Sequence, residues 1–571
     1  MDNQRLILFV ALSVVIMLLY SAWQEQFEPQ APTSTNIVPQ SEVPTTSQTP
    51  LLQDVPGQAA PDTTNSTVPG ITETPAQQST VVKSSPQLGV LDSGQRISVI
   101  TDLLAVEINT VGGDVRRVAL LEYPQTAKNK EEKVQLFDDR PPYIFIAQSG
   151  LLSSNGPQVD HHAIYQSQQN KYELQNGQDS ITVELTLQQQ GLNVIKRYTF
   201  YRGKYTIDQS YEVTNNTQQV WTGRQYRQLQ RADVEAKNKS QFIYTYTGGV
   251  LSTPENPYEK IDFDEMSSWK PEQSYSTGGW IAMIQHYFVG AWIPNQDEHN
   301  HPYSSELSIN NIAEDNRYIL GLQSVESQIQ PGQSGRFESR LYVGPKEQKR
   351  IEKVAPNLEL TVDYGILTIL AKPVYWLLDK IHSYVNNWGW AIIFVTLIVK
   401  LLFYKLSEAS YRSMARMRKF APKMQAVKER YGDDKQRMSQ AMMEIYKKEK
   451  INPLGGCLPM LVQIPVFISL YWVLLETVEL RQATFMLWLT DLSSKDPYYV
   501  LPVIMGVSMF IQQKLNPAPM DPIQAKVLSF LPFIFTAFFA FFPSGLVLYW
   551  VVNNILSIGQ QWYITRKIEN A

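Results

Sequence analysis

The chain has 571 residues, of which 43% are hydrophobic and only 18% charged, with a formal net charge of −4. That total conceals two unlike parts, a net of −12 over residues 1–360 and +8 over residues 361–571. A single cysteine, Cys457, excludes an internal disulfide framework and a multi-cysteine metal centre. The sequence holds no Walker-type phosphate loop, no nucleophile-elbow motif and no HExxH pair, which excludes the enzyme classes built on them.

The first candidate element is Leu6 to Trp23, eighteen residues without a charge. At 1.5 Å per residue it spans about 27 Å, the thickness of a bilayer core. Bulky Tyr20 and Trp23 flank Ser21 and Ala22, which fits an uncleaved anchor better than a signal-peptide cleavage site. Residues 28–88 are rich in Pro, Thr, Ser and Gln. They carry too little apolar surface to offset chain entropy and read as a disordered linker. From about Ile97 to Lys346 strand signals take over. Tyr198 to Tyr201, then Arg202-Gly203-Lys204, then YTIDQSYEV reads as a hairpin, and 179–187 and 338–346 read as further strands. An all-β sandwich is expected. His161-His162 and His299/His301 lack acidic or cysteine partners in sequence and are expected on surface loops rather than around a metal. Asp363 to Tyr384 has apolar residues at spacings of three and four, interrupted by Lys372, Asp379, Lys380 and His382. It reads as an amphipathic helix lying along a membrane–water interface.

Five candidate spans follow: Trp388–Leu406, Leu458–Leu480, Tyr498–Leu515, Ala525–Phe542 and Gly545–Trp562. Between Tyr404 and Leu458 there are thirteen Lys and Arg against six acids, which marks this loop as cytoplasmic. Six spans then put both termini in the cytoplasm and the large acidic segment outside. A bacterial inner membrane with a periplasmic domain is the natural setting. The loop itself reads as a helical hairpin, 406–431 and 433–450, divided at Gly432. The expected architecture is a multi-domain α+β membrane protein. Its parts are an anchor (1–27), a linker (28–88), a periplasmic β-sandwich (89–350) and a junction with the interfacial helix (351–387). A five-helix transmembrane bundle with a cytoplasmic helical hairpin (388–571) completes it.

The informative residues are polar ones inside the spans. Lys400 stands in an apolar run, where a lysine costs about 2.5–3.5 kcal/mol. It lies about 9 Å from the cytoplasmic end, so its stem can snorkel. Alternatively it faces a hydrated cavity, and Thr396, one turn away on the same face, favours a polar stripe. The last span carries Asn553, Asn554, Ser557, Gln560 and Gln561 on one face, and the fourth adds Ser508, Gln512 and Gln513. Such residues also join helices by hydrogen bonds. None of the five spans offers an acid at the depth of Lys400, since Glu476 and Glu479 lie near the opposite end. A charge without an acidic partner calls for water.

Long stretches of the chain resemble the YidC, oxidase-assembly and chloroplast family of membrane protein insertases, in its long Gram-negative form. They include residues 432–467, VELRQATFMLWLTDLSSKDPYYVLP (478–502), FPSGLVLYWVVNN (542–554) and INTVGGDV (108–115). The resemblance implies a five-helix core enclosing a hydrophilic groove open to the cytoplasm and to lipid. It implies a groove built on Lys400, Thr396, Ser508, Gln512, Gln513, Tyr549, Trp550, Asn553 and Ser557. Lys400 stands where the family usually has arginine, keeping the charge but losing the planar fork. Lys405 stands where the family usually has proline, and the helix end is expected to be straighter for it. No cofactor, metal or enzymatic step is implied. The implied partners are newly made membrane proteins, the Sec translocon and the lipid bilayer, with the ribosome meeting the basic hairpin and C-terminal tail. The rival class is a small-solute transporter or channel, which ordinarily shows intramembrane acids or repeat symmetry.

Overall fold

The computed structural model describes residues 91–234, 245–271, 275–307, 316–432, 434–448, 458–516 and 522–569. The anchor at 6–23 and the linker at 28–88 lie outside the described residues. The chain divides into two compact units. One comprises 51–368 with 472–483, and the other comprises 1–50, 369–471 and 484–571.

The β unit is built from strands whose side chains alternate between core and surface. Leu192–Tyr201 and Thr206–Asn215 bury every second residue, and they pair antiparallel from Ile207 opposite Phe200 to Asn215 opposite Leu192. The turn between them uses Gly203 at φ 70°, a conformation that needs no Cβ. This is the hairpin expected from the sequence. Among the described residues nine strands form one sheet, whose centre runs Trp280–Ile284, Phe288–Pro294, Ser334–Pro345, Thr206–Asn215, Leu192–Tyr201 and Ser180–Gln189. Eleven of the described strands form the second, centred on Arg317–Ser324, Trp221–Ala232, Phe145–Asn155 and Val115–Pro124. The pairing is antiparallel throughout except between Arg96–Ile100 and Lys171–Glu173. The two sheets meet face to face. Ser149 Oγ lies 3.1 Å from the Tyr211 hydroxyl, and Gln225 Nε2 donates to Gln209 Oε1 at 2.9 Å. Trp221, Trp280, Trp292, Tyr198 and Tyr211 fill the interior.

The histidine expectation needs correction. His161 is buried, with its ring Nδ1 2.6 Å from the Tyr226 hydroxyl, because the loop that carries it folds over Trp221–Ala232. His162 is exposed and faces Asp92. Among the described residues no cluster of His, Cys, Asp and Glu is arranged to hold a metal ion.

The helical unit starts with α1 (Thr368–Val385), which buries Ala371, Tyr375 and Leu378 and exposes Ile369, Trp376 and Tyr384. Then come α2 (Trp388–Leu402), α3 (Tyr404–Tyr431), α4 (Lys435–Lys448), α5 (Leu458–Glu476), α6 (Val500–Leu515), α7 (Pro522–Phe539) and α8 (Ser544–Glu569). Asn387 caps α2 by accepting from the Trp390 amide at 3.1 Å. Buried Asp496 caps α6, accepting from the Leu501 amide at 2.7 Å, the Tyr498 amide at 3.0 Å and Trp488 Nε1 at 3.0 Å. The longest helix in the second half of the unit, α8, packs against α2, α3 and α6, while α6 also packs against α7. Gly506 permits the last contact: a Cβ there would lie 1.9 Å from Thr536 Oγ1.

The helices bear on the expected spans, and they correct the expected straight helix end. Among the described residues no single helix is long and apolar enough by itself to cross a membrane. Val462–Glu476, Val500–Leu515 and Ala525–Phe539 are shorter apolar helices, and α8, continuous over 26 residues, carries the polar side chains of Asn553, Asn554, Gln560 and Gln561. Trp388–Leu402 and Tyr404–Phe420 reach the required length and apolarity together, but they meet at 67°. The straighter helix end expected from Lys405 is therefore not found. Phe403 leaves helical geometry (φ −92°, ψ 13°) without any proline. The bend turns Ser407, Ser410 and Tyr411 of α3 into buried positions, and α3 packs against α8. Packing outweighs the local helical preference.

Candidate functional site: a polar face around Lys400

Lys400 lies in the last turn of α2, where the helix dipole favours a cation. It is buried, and its Nζ donates to Ser557 Oγ of α8 at 2.7 Å. The Ser557 hydroxyl in turn donates to the Asn553 carbonyl at 2.7 Å, within its own helix. Lys400, Ser557 and the Asn553 backbone are thus brought together across 157 residues of sequence. Among the described residues, no carboxylate pairs with this ammonium.

Thr396, one turn earlier, is buried but spends its hydroxyl on the Ile392 carbonyl at 2.7 Å. Ser508 is buried on α6, donates to the Met505 carbonyl at 2.7 Å and accepts from Asn554 Nδ2 at 3.0 Å. Gln512 and Gln513 continue along α6 and are half-buried. Gln561 Nε2 ties α8 to the end of α6 through the Leu515 carbonyl and Asn516 Oδ1, at 3.1 and 3.0 Å. Three buried amide atoms here, Gln513 Oε1, Gln560 Nε2 and Gln561 Oε1, have no hydrogen-bond partner among the described residues. Buried polar atoms are rarely left so, and each calls for water or another polar group.

Tyr549 and Trp550 belong to a different neighbourhood. Phe467 of α5 stacks on Tyr549 at 6.0 Å and meets Trp550 edge-on at 4.5 Å, and Phe539 of α7 lies 5.1 Å from Trp550. These two are anchored in an aromatic contact of α5, α7 and α8, and no hydrogen bond joins them to Lys400.

Tyr411 is the residue that sequence reasoning missed. It is buried on α3, which packs against α8, and its hydroxyl lies near enough to the Ser557 side chain to act on it electrostatically. Burial raises this hydroxyl above its ordinary range, so it stays neutral. Ser557 is therefore the meeting point of α2, α3 and α8. The available signal was the spacing of Ser407, Ser410 and Tyr411, which places three polar residues on one face of α3.

Comparisons with known proteins match the chain in two parts. The profile of the YidC periplasmic domain matches residues 96–377, and that of the 60Kd inner membrane protein matches residues 380–571. A relative in Methylococcus capsulatus, "Membrane protein insertase YidC", is 52% identical and covers 100% of this chain and 99% of its own. Proteins of the same name in Nitrosococcus oceani and Thioalkalivibrio sulfidiphilus are each 48% identical, again over 100% of this chain and 99% of theirs. With such identity over its full length, the chain belongs to the YidC family of membrane protein insertases, inner-membrane proteins that carry a periplasmic domain and are not enzymes.

Proposed function

We propose that this insertase works through a hydrophilic groove centred on Lys400, into which the polar flank of an incoming hydrophobic segment is drawn. The observation that carries the reading is the state of Lys400, a buried ammonium held by a serine hydroxyl and not by an acid. An acidic group on a substrate is a stronger partner than a hydroxyl, because both ends of the contact are then charged. At an effective dielectric near 20, a carboxylate about 4 Å away is attracted by about 4 kcal/mol. The partnerless amide atoms of Gln513, Gln560 and Gln561 supply further polar positions for water or a flank.

The energetic problem is the passage of a polar flank across about 30 Å of hydrocarbon. A groove wet from the cytoplasm shortens the uninsulated part of that path. The apolar helix of the substrate leaves sideways, past α5 and the phenylalanine-rich α7, whose Phe530, Phe533 and Phe538 are exposed. In this reading α2, α5, α6, α7 and α8 form a five-helix core, and 6–23 is a membrane anchor followed by a linker over 28–88. Both termini are cytoplasmic, the 89–350 sandwich is periplasmic, and 351–387 joins it to the core. Thr396, Ser508, Gln512, Asn553 and Ser557 line the groove with Lys400, and Tyr549 and Trp550 form its apolar wall. The basic hairpin of α3 and α4 and the C-terminal tail meet the ribosome, and the Sec translocon shares part of the work.

The test is reconstitution in proteoliposomes. Insertion of a small single-span substrate without small-solute flux supports the groove; flux without insertion supports a channel.

A further inference from the structure

Residues 483–490, between Arg481 and Asp491, carry no charge. Within the helical unit they form a tight loop. The Phe485 amide donates to the Leu489 carbonyl at 2.9 Å, and the Leu489 amide donates to the Met486 carbonyl at 3.1 Å. Both sides of the loop are anchored. Asn387 Nδ2, at the cap of α2, donates to the Phe485 carbonyl at 3.0 Å. The Phe485 ring lies over Gly389, where a Cβ would come within 2.1 Å of it, and it meets Trp390 edge-on at 5.7 Å. On the other side Trp488 Nε1 is tied back to Asp496 at 3.0 Å, and Leu489 is buried. The tip between these anchors is the reverse: Met486 is 45% exposed and Leu487 79%. Leu487 also has φ 54°, in the left-handed region that a leucine rarely adopts.

A leucine so placed loses twice in water, once through its strained backbone and once through its bare apolar side chain. Glycine or asparagine would suit a solvated turn better. The anchors at Phe485 and Trp488 hold the strain in place and aim the tip outward. Its neighbours identify what it meets. Trp390, in the first turn of α2, is 43% exposed, and Tyr498 and Tyr499, just before α6, are exposed as well. In the proposed topology α2 and α6 begin at the outer face, so the loop lies at the outer membrane–water boundary, where Trp and Tyr collect. We infer that Met486 and Leu487 form a wedge that enters the outer leaflet beneath the headgroups, and that lipid is the partner of this surface. Phe485 and Trp488 are positioning residues, which fix the wedge beside the starts of α2 and α6. The inference rests on the topology given under the proposed function and not on the role of Lys400.

The experiment uses the full-length protein with Cys457→Ser and one new cysteine, Met486→Cys, Leu487→Cys or Lys495→Cys, carrying a small fluorophore. Lys495 is exposed in the same connection between α5 and α6 and serves as the aqueous reference. In proteoliposomes containing lipids spin-labelled just below the headgroup, the probe at 487 should be quenched at least about threefold more than the probe at 495, and iodide should quench it about threefold less. Adding Leu487→Asp to the probe at 486 should withdraw the tip and cut its lipid quenching about threefold, while Leu487→Met should keep it. Where Leu487→Asp fails to accumulate, Leu487→Asn takes its place, since asparagine tolerates left-handed backbone, and the same withdrawal is expected. An impermeant thiol reagent on right-side-out membrane vesicles reads the topology separately, and position 495 should label from outside. Equal lipid quenching at 487 and 495, with 495 labelled from outside, overturns the wedge and leaves the topology standing. Labelling of 495 from the cytoplasmic side alone overturns the topology and the wedge with it. A disulfide between the 487 cysteines of two copies that survives dilution with lipid would make a second copy the partner, and would also overturn the wedge.

Discussion

Lys196 is a fully buried lysine between the two sheets of the periplasmic domain. Its Nζ donates to the Gly112 carbonyl at 2.8 Å and the Ser149 carbonyl at 3.3 Å, and it sits 5.2–5.9 Å from the ring centres of Tyr165, Tyr198 and Tyr211. Burial pushes its ammonium from 10.5 down to about 7, against the raising influence of Asp114. The folded form therefore gives up its proton near pH 7, while the unfolded chain keeps it until about 10.5. The cost of burying the charge is present in full below pH 7 and is relieved as the pH rises. Between pH 7 and 9 this one group should add about 1.4 kcal/mol of stability per pH unit, a tenfold change in the unfolding equilibrium. The buried tyrosines of the domain are raised above 10 and do not titrate in that window. The assay is urea unfolding of the β unit in the detergent-solubilised protein, followed by pulse proteolysis at pH 7, 8 and 9. Lys196→Met, of similar length and without a titrating group, should flatten the slope by about 1.4 kcal/mol per unit. Equal pH slopes in the two proteins would show that Lys196 titrates near its ordinary value and that the sheets are wetter than their burial states.

Asp496→Ala removes the acceptor of three N–H groups, the Leu501 amide in the first turn of α6, the Tyr498 amide just before it and the Trp488 indole, and should destabilise the helical unit by about 3 kcal/mol. A fall of several degrees in the thermal midpoint in detergent, larger than for Asp496→Asn, is the expected reading. Gly506→Val places a side chain against Thr536 where a Cβ alone has 1.9 Å. It should separate α6 from α7 and lower the same midpoint, while Gly559→Ala, where a Cβ meets nothing within 4 Å, should leave it unchanged.

The parts of this fold that the sequence made legible are those with a clean period. The hairpin of Leu192–Tyr201 and Thr206–Asn215 has one wet face and one dry face, so its alternation is plain. Trp221–Ala232 misleads, because Gln225, Arg227, Gln228 and Gln230 look like surface residues and are buried on both faces of the strand. The same covering loop hides His161. Polar residues on α2, α6 and α8 could be assigned to helix faces by spacing, but not their partners. Ser557 accepts from the Lys400 ammonium, and Ser508 meets Asn554. The bend at Phe403 has no proline or glycine to announce it, and it decides that Tyr411 joins the polar face. Lys346 and Glu476 are 130 residues apart, and only the fold brings them together.

The central claim is that the positive charge at Lys400 attracts acidic flanks. Its most direct measurement is insertion of a matched pair of single-span substrates differing only by one acidic residue in the translocated flank. Wild type and Lys400→Ala are compared at equal protein level, with Lys400→Arg and Lys400→Glu as controls. Loss of a contact worth a few kcal/mol should slow the acidic substrate about tenfold or more in Lys400→Ala and the neutral one much less. Lys400→Arg should preserve insertion of both, and Lys400→Glu should be worst for the acidic substrate. Equal defects for the two substrates in Lys400→Ala would contradict the account and leave Lys400 as a residue of helix packing alone.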